Sequence, residues 1–208
     1  RTYSKYRGEK RQGFETAGLK LNSIMELAAH AISLMAISIQ IFAIILFVEA
    51  AIHKSVTYKD FVGIISGYRL IPISLVWTAA AFVIFAEYLA IISLLLMLPF
   101  LKYLGAVMLV GYAIAIQINV VRGRTEIDCG CGGQSMPISQ SLVSRNLAIA
   151  ILLAWSTNTV GFSGLVEYGF VYWILVCGTV LVGYLFYLSY NQLCFNQSLQ
   201  SNLTRKEL

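Results

Sequence analysis

Charge is what this chain has least of. Only 12% of its 208 residues are Asp, Glu, Lys or Arg, whereas 58% are hydrophobic, and the mean hydropathy is +0.75. A water-soluble domain needs more charge than this to cover its surface, so the composition excludes a soluble protein and indicates an integral membrane protein. The hydrophobic stretches are continuous and about 20 residues long, which suits helices that cross a bilayer. A barrel would need short alternating strands instead, so we predict an all-α helical bundle.

Several catalytic motifs are also missing. The two histidines, His30 and His53, flank the first hydrophobic stretch on opposite sides and so do not form a catalytic array. The sequence contains no phosphate-binding glycine loop, serine-hydrolase elbow or haem-attachment motif. Residues 1–30 are polar and basic, and we recognise no cleavable signal sequence in them. The net charge of +5 comes mostly from this arm and favours binding to a membrane surface over nucleic acid.

Five segments are apolar enough to be predicted as transmembrane helices: 28–52, 73–97, 103–121, 144–162 and 169–190. The fourth is the weakest, because Arg145 and Asn146 lie at its start and a Ser-Thr-Asn-Thr run lies near its end. If that segment is only re-entrant, the count falls to four. We therefore divide the chain into a basic cytoplasmic arm (1–30), a transmembrane bundle (31–190) and a C-terminal tail (191–208).

The connector, residues 122–143, carries two cysteines separated by one glycine. The Cys129-Gly130-Cys131 run is followed by two more glycines and by Pro137, all of which favour turns. A dithiol can exchange disulfides with a partner if it is accessible, reaches the thiolate state and is not locked in a stable bridge. A bridge between residues two apart closes a small, strained ring that is easily reduced. The connector is therefore the first candidate for redox chemistry.

The charges around this pair act in opposite directions. Arg122 and Arg124, with Arg145 from the next segment, would favour the thiolate, whereas Asp128 and Glu126 would oppose it. The direction of the thiol pKa shift therefore does not follow from the sequence.

Two other interpretations of the pair stay open: a static bridge that staples the connector, and a metal site. Zinc usually takes four ligands, and only His53 and Cys194 could join from the same side of the membrane. Cys177 and Cys194 lie on one predicted helix, about 25 Å apart by helical rise, so they cannot bridge each other. We expect Cys177 to be buried as a small hydrophobic side chain.

Glu87 lies deep within the second predicted span, where an unpaired carboxylate costs about 2.5 kcal/mol or more. Its expected partners are basic side chains that reach inward or amides of the third span: Lys54, Arg69, Gln117 and Asn119. Glu87 is interpreted as a hydrogen-bonded clasp between helices, with a role as proton carrier or quinone contact as the alternative. Glu49, near the end of the first span, is expected to snorkel or to pair with Lys54.

Other polar residues have structural interpretations. Tyr68 and Arg69, like Tyr103, fit the aromatic and basic belt that anchors helices at lipid headgroups. Arg145 and Asn146 at a helix start are unusual, because a cation is disfavoured at the positive end of the helix dipole. We expect a carboxylate, Asp128, to compensate Arg145.

Orientation is not decided by bulk counting, because nearly equal numbers of Lys and Arg flank the spans on the two sides. The first helix usually dominates insertion, and the densest basic run precedes it, so we predict a cytoplasmic N-terminus. Cys129 and Cys131 then lie on the outer face, which is the periplasm of a Gram-negative bacterium, where disulfides form.

Several motifs together resemble one membrane family. They are Glu49 to Lys54 with Phe61, Gly-Tyr-Arg-Leu-Ile-Pro at 67–72, Glu87, Asn-Val-Val-Arg-Gly-Arg-Thr-Glu-Ile-Asp-Cys-Gly-Cys-Gly at 119–132, and Ser-Arg-Asn-Leu at 144–147. Over roughly residues 40 to 155 they resemble the methylamine-utilisation protein MauE family of DoxX-like membrane proteins.

The resemblance implies an inner-membrane helical bundle that is needed to mature the tryptophylquinone-bearing small subunit of methylamine dehydrogenase. It also implies a thioredoxin-like periplasmic partner, MauD, which acts in forming that subunit's many disulfides. With the chemistry above, we expect Cys129 and Cys131 to be the reactive pair, supported by Arg124, Asp128, Glu87, Arg69, Tyr68, Arg145 and Asn146.

Whether the chain is itself an enzyme stays open. A rival interpretation is a membrane thiol oxidoreductase that passes electrons to a quinone, resembling vitamin K epoxide reductase-like oxidases. Another is a non-catalytic scaffold for a periplasmic partner, in which the thiols would be dispensable. The motifs establish no cofactor, and a quinone is the candidate.

Overall fold

A computed structural model of the chain describes residues 2–130, 136–159 and 169–206, with side chains over 19–130, 136–159 and 169–196. Within these ranges the elements are α1 (Thr2–Val56), α2 (Tyr58–Tyr68), a 3-10 turn (Ile73–Leu75), α3 (Val76–Leu95), α4 (Leu104–Val121), α5 (Gln140–Thr159) and α6 (Phe170–Lys206). The described residues contain no strand beyond one isolated bridge between Asp128 and Pro137. The predicted all-α membrane bundle is confirmed.

In the part of the chain that the structure describes, four helices are long and apolar enough to cross a membrane: Leu19–Val56, Ile73–Leu95, Leu104–Val121 and Phe170–Asn196. They coincide with four of the five predicted spans. The first is longer than predicted, because α1 begins at Thr2 and so includes residues 2–30 of the expected basic arm. The last continues through α6 to Lys206, so most of the expected tail is helical.

The fifth predicted span, α5, does not reach the same hydropathy, yet it runs antiparallel to α4 over the length of the bundle. Near its start, Leu142 packs with Ile116 of α4. Midway, Leu153 packs with Ala106, and near its end Asn158 Oδ1 accepts a hydrogen bond from the Tyr103 hydroxyl, just before α4 begins. The segment is therefore a continuous helix along α4, and its buried polar residues, Arg145, Asn146, Ser156 and Thr157, face other helices.

The central helix is α1, which packs against α3, α5 and α6, while α4 packs against α3 and α5. Their main core consists of Ala43, Phe47, Ala51, Ile91, Leu94, Ala106, Ala150 and Leu153. Half of these residues are alanines, and small residues allow membrane helices to approach closely. At Gly105 the approach is closest, since a Cβ there would lie 3.0 Å from the Phe47 ring and 3.1 Å from Leu153.

The short helix α2 was not predicted from the sequence. It connects α1 to α3 and packs its buried Phe61 and Val62 against Val76 and Ala80 of α3. It ends at Arg69, which is in the left-handed conformation with a φ of 47°. Tyr68 packs with Ile138 and Leu142, so α2 and the connector lie at the same end of the bundle.

Helix α6 packs along α1 in the parallel direction. Val176 and Val180 contact Ile37, and the Tyr184 hydroxyl donates a hydrogen bond of 3.1 Å to Glu49 Oε2. The alternative that Glu49 pairs with Lys54 is therefore wrong. Cys177 is exposed on this helix rather than buried as predicted, whereas Cys194 is buried.

Candidate functional site

The connector holds Cys129 in a short antiparallel pairing at the end of the bundle. The Cys129 amide donates to the Met136 carbonyl at 2.9 Å, and the Ile138 amide donates to the Ile127 carbonyl at 3.0 Å. Cys129 is disulfide-bonded and half-buried, whereas Cys131 lies outside the described residues. The sulfur of Cys129 is therefore carried on a backbone that two hydrogen bonds fix to the opposite strand of the connector.

Asp128 shapes this turn from within. Its Oδ1 accepts hydrogen bonds from the backbone amides of Gly130, at 3.1 Å, and Met136, at 3.2 Å. Gly130 has a φ of 67°, and a Cβ there would lie 3.2 Å from Ile64 of α2. A glycine is required at this position for both reasons, since other residues disfavour that φ and would collide with α2. The expected pairing of Asp128 with Arg145 is wrong, because the carboxylate serves the connector backbone instead.

Tyr68 lies under the connector. The sequence had suggested a position in the belt at the lipid headgroups. Tyr68 is buried, and its hydroxyl donates a long hydrogen bond of 3.4 Å to the Cys129 carbonyl. Burial, together with the negative charge of Asp128, raises the pKa of the Tyr68 phenol. Tyr68 therefore stays a neutral hydrogen-bond donor next to the disulfide. Arg69, by contrast, is exposed at the end of α2.

A buried ion pair crosses the bundle below α2. Glu87 of α3 is fully buried and pairs through Oε1 with Lys54 Nζ of α1. The hydroxyl of Tyr112, on α4, donates to the same carboxylate oxygen at 2.7 Å. Lys54 Nζ also lies 4.9 Å from the centroid of the Tyr112 ring and 5.3 Å from that of Phe61. The ion pair thus joins α1, α3 and α4, and Lys54 also contacts α2.

This arrangement confirms Lys54 as a partner of Glu87, one of the four residues that the sequence suggested. Arg69 is exposed, and the Asn119 side chain donates to the Ala115 carbonyl of its own helix instead. Sequence reasoning missed Tyr112, although a tyrosine in the middle of an apolar span was an available signal. The second carboxylate oxygen, Glu87 Oε2, has no hydrogen-bond partner among the described residues.

Arg145 is buried between α5 and α6, and no carboxylate of the residues that the structure describes pairs with it. Its Nη1 donates to Asn191 Oδ1 at 2.6 Å, and its Nη2 donates to Asn146 Oδ1 at 3.2 Å. The guanidinium carbon lies 5.3 Å from the centroid of the Tyr187 ring. Amides and an aromatic face therefore replace the expected anion. Asn191 and Tyr187 were not identified from the sequence, because nothing local indicates that α6 returns to the start of α5.

Two cavities meet at Lys54 and Tyr112. The larger cavity, about 190 Å³, extends to Tyr68, Cys129 and Gly130 and is otherwise lined by apolar side chains of α2, α3 and α4. The smaller cavity, about 40 Å³, is bordered by Glu87, Arg145, Asn146 and Tyr187. The ion pair therefore separates an apolar chamber next to the disulfide from a smaller pocket with both polar and apolar walls and room for water.

The structure thus joins most of the predicted supporting residues. Tyr68 and Asp128 contact the connector, Glu87 lies behind the larger cavity, and Arg145 and Asn146 border the smaller one. Arg124 and Arg69 lie at the same end of the bundle but line neither of these cavities. Among the described residues, no three His, Cys, Asp or Glu side chains are grouped so that they could hold a metal ion.

Comparison with known proteins identifies the family. The family model for methylamine utilisation protein MauE matches residues 31–158, more than half of the chain. A relative in Paracoccus denitrificans, methylamine utilization protein MauE, is 36% identical over 127 residues, which cover 58% of this chain and 68% of the relative. The protein of that name in Methylorubrum extorquens is also 36% identical over 127 residues, covering 56% of this chain and 67% of its own.

No solved structure shows a significant match. The region matched by the family model runs from within α1 to the last residues of α5. It therefore includes the connector, α2 and the Lys54–Glu87 pair, whereas α6 lies beyond it. The chain belongs to the methylamine utilisation protein MauE family.

Proposed function

We propose that this protein is an inner-membrane thiol–disulfide exchange factor that supports maturation of the methylamine dehydrogenase small subunit together with a thioredoxin-like periplasmic partner. Family membership supports the methylamine system. The observation that carries the redox role is the disulfide-bonded, half-buried Cys129 on the connector, at one end of a helical bundle.

The proposed reaction oxidises the partner. One thiolate of the partner's dithiol attacks the Cys129 disulfide, which forms a mixed disulfide and releases the other sulfur as a thiolate. The partner's second thiolate then attacks the mixed disulfide. The partner leaves with a new disulfide, and this chain keeps two thiols, so two electrons and two protons have moved from the partner to this chain. The oxidised partner passes its disulfide to the small subunit by the reverse steps.

The connector suits such exchange physically. Its backbone pairing keeps Cys129 in place when the disulfide opens, because the Cys129–Met136 hydrogen bond does not depend on the sulfur. Tyr68 and Ile64 of α2 support the turn on one side, at Cys129 and Gly130. A fixed backbone and partial exposure of the residue suit an exchanging cysteine.

The test is to replace Cys129 and Cys131 by Ser, singly and together, in a methylotroph that lacks its own copy of the protein. We expect loss of correctly disulfide-bonded small subunit, with the variants still present in the membrane at wild-type abundance. One single variant should accumulate a mixed disulfide with a thioredoxin-like protein, which non-reducing gels and mass spectrometry would identify.

The matched control is Cys177→Ser, which changes an exposed cysteine far along the chain from the connector. It should leave maturation unchanged. Full maturation in the double Ser variant would disprove the exchange role and leave the scaffold as the surviving function.

A further inference from the structure

The larger cavity has the size of a single substituted ring. An apolar protein cavity of about 150 Å³ accommodates benzene, and this cavity measures about 190 Å³. A three-ring flavin is too large for that volume. The walls are mostly aliphatic and aromatic, with a few polar groups at defined places, which is the usual composition of a small-molecule site.

The polar groups of the cavity are hydrogen-bond donors. Lys54 has three N–H groups, and its contact with Glu87 uses one of them. Tyr68 holds only a 3.4 Å bond to the Cys129 carbonyl, so its hydroxyl can turn towards a better acceptor. The charge of Glu87 is already balanced by Lys54. The cavity therefore suits a neutral ligand with carbonyl oxygens and excludes a charged one.

The entrance suits a ligand that arrives from the lipid. Leu70 and Ile71, which follow α2, line the cavity and are 40% and 36% exposed. Both side chains are aliphatic, so a hydrophobic tail can lie between them while a ring occupies the interior.

The residue that needs a redox partner also lines the cavity. Cys129 and Gly130 form part of its wall. Each exchange with the thioredoxin-like partner leaves this chain as a dithiol, which must lose two electrons and two protons before it can act again. A lipid-soluble acceptor of two electrons and two protons, with a one-ring or two-ring dione head, meets both the chemical and the geometric demands.

We propose that the larger cavity binds the headgroup of an isoprenoid quinone, which reoxidises the Cys129 dithiol. This inference rests on the proposed exchange function. The two thiols form one S–S bond, the two electrons reduce the quinone, and the two thiol protons end on its oxygens as the quinol. Tyr68 and Lys54 donate hydrogen bonds to the carbonyl oxygens and so orient the ring.

The experiment uses the full chain in lipid nanodiscs, reduced, freed of reductant and mixed anaerobically with decylubiquinone. Quinol formation is followed by absorbance, and thiol loss is followed by maleimide mass shift. We expect one quinol per protein, with a rate that saturates with quinone concentration. Ala79→Phe, which fills the cavity from α3, should slow this reaction at least tenfold. Ala81→Phe, on the exposed side of the same helix, should leave the rate unchanged.

A second variant tests the site if Ala79→Phe folds poorly. Tyr68→Phe keeps the ring and removes the hydroxyl, so it should raise the quinone concentration at half-maximal rate several-fold. The proposal is overturned if no quinol forms, or if Tyr68→Phe and a folded Ala79→Phe both react like the wild type. In parallel, the oxidised protein is mixed with a reduced thioredoxin. Exchange without quinone reduction would reject the quinone site alone, whereas absence of exchange would reject the proposed function.

Discussion

At the scale of single residues, the Lys54–Glu87 pair explains how this chain tolerates two charges inside its bundle. Both side chains are almost completely buried, and each would be costly alone in a low-dielectric interior. Their attraction, with the Tyr112 hydrogen bond, offsets the loss of hydration. Such a pair contributes little net stability over apolar residues of the same shape, but breaking it is expensive.

We therefore expect Lys54→Met and Glu87→Leu to lower the free energy of unfolding by about 3–5 kcal/mol each, because each leaves one buried charge without its partner. The double variant should lose much less than the sum, since it removes both charges. Thermal unfolding in detergent measures all three variants against the wild type. Glu49→Gln is the control, because Glu49 is exposed and its carboxylate accepts a hydrogen bond from the Tyr184 hydroxyl. Strictly additive losses would contradict the ion pair.

At the scale of helices, close packing depends on small residues where α1, α4 and α5 meet. Lipid chains are as apolar as the helices, so membrane helices gain stability from close van der Waals contact rather than from leaving water. Gly105 is buried between Phe47 and Leu153, whereas Gly111, six residues further along α4, has nothing within 4 Å of its Cβ position. The two glycines have the same chemistry and opposite surroundings.

Gly105→Ala should destabilise the bundle by about 1–3 kcal/mol through overpacking. Gly111→Ala should be neutral or stabilise it by up to about 1 kcal/mol, because alanine is the better helix former. The two variants are compared by thermal unfolding and by the yield of monodisperse protein. If Gly105→Ala is as stable as Gly111→Ala, the three helices do not meet as described.

Helix α5 packs within the bundle although it is less apolar than the four described helices that have the hydropathy of a membrane span. Its buried polar residues, Arg145, Asn146, Ser156 and Thr157, lower the mean hydropathy of the helix, but they face neighbouring helices rather than lipid. Polar residues within membrane bundles usually point inward in this way. Helix α5 is therefore about as long as α3 and α4 while being less apolar.

At the scale of the whole molecule, the elements sort into two ends. The connector lies with α2 at one end, where Tyr68 contacts Cys129. The turn between α3 and α4 lies at the other, where Tyr103 contacts Asn158 of α5. The orientation in the membrane thus depends on which of these two ends faces the periplasm. The basic N-terminal arm favours a connector on the periplasmic side.

A membrane-impermeant maleimide tests this orientation in spheroplasts. In a variant with Cys131, Cys177 and Cys194 replaced by Ser, the single thiol of Cys129 should be labelled in intact spheroplasts. Phe100→Cys in a variant without the four native thiols should be labelled only after permeabilisation, because Phe100 is 98% exposed at the opposite end. The reverse pattern would place the connector in the cytoplasm and contradict the prediction.

Much of the architecture was predictable because it depends on local composition. Continuous apolar runs determined the helical membrane class and the approximate spans, since a backbone in lipid must satisfy its own hydrogen bonds. The glycines of the connector indicated its turn, and a carboxylate within an apolar run indicated a buried partner. Lys54 could be suggested for Glu87 because few cations lie near the spans.

Only the tertiary structure decided which side chains meet across helices. The sequence could not show that Asp128 serves the connector backbone while Arg145 is satisfied by Asn191, because those contacts depend on how helices turn about their axes and on the return of α6. Tyr68 looked like a lipid-belt residue until α2 placed it beneath the disulfide. A cavity next to Cys129 exists only where four helices and the connector fail to fill the space between them, and no local pattern encodes that space.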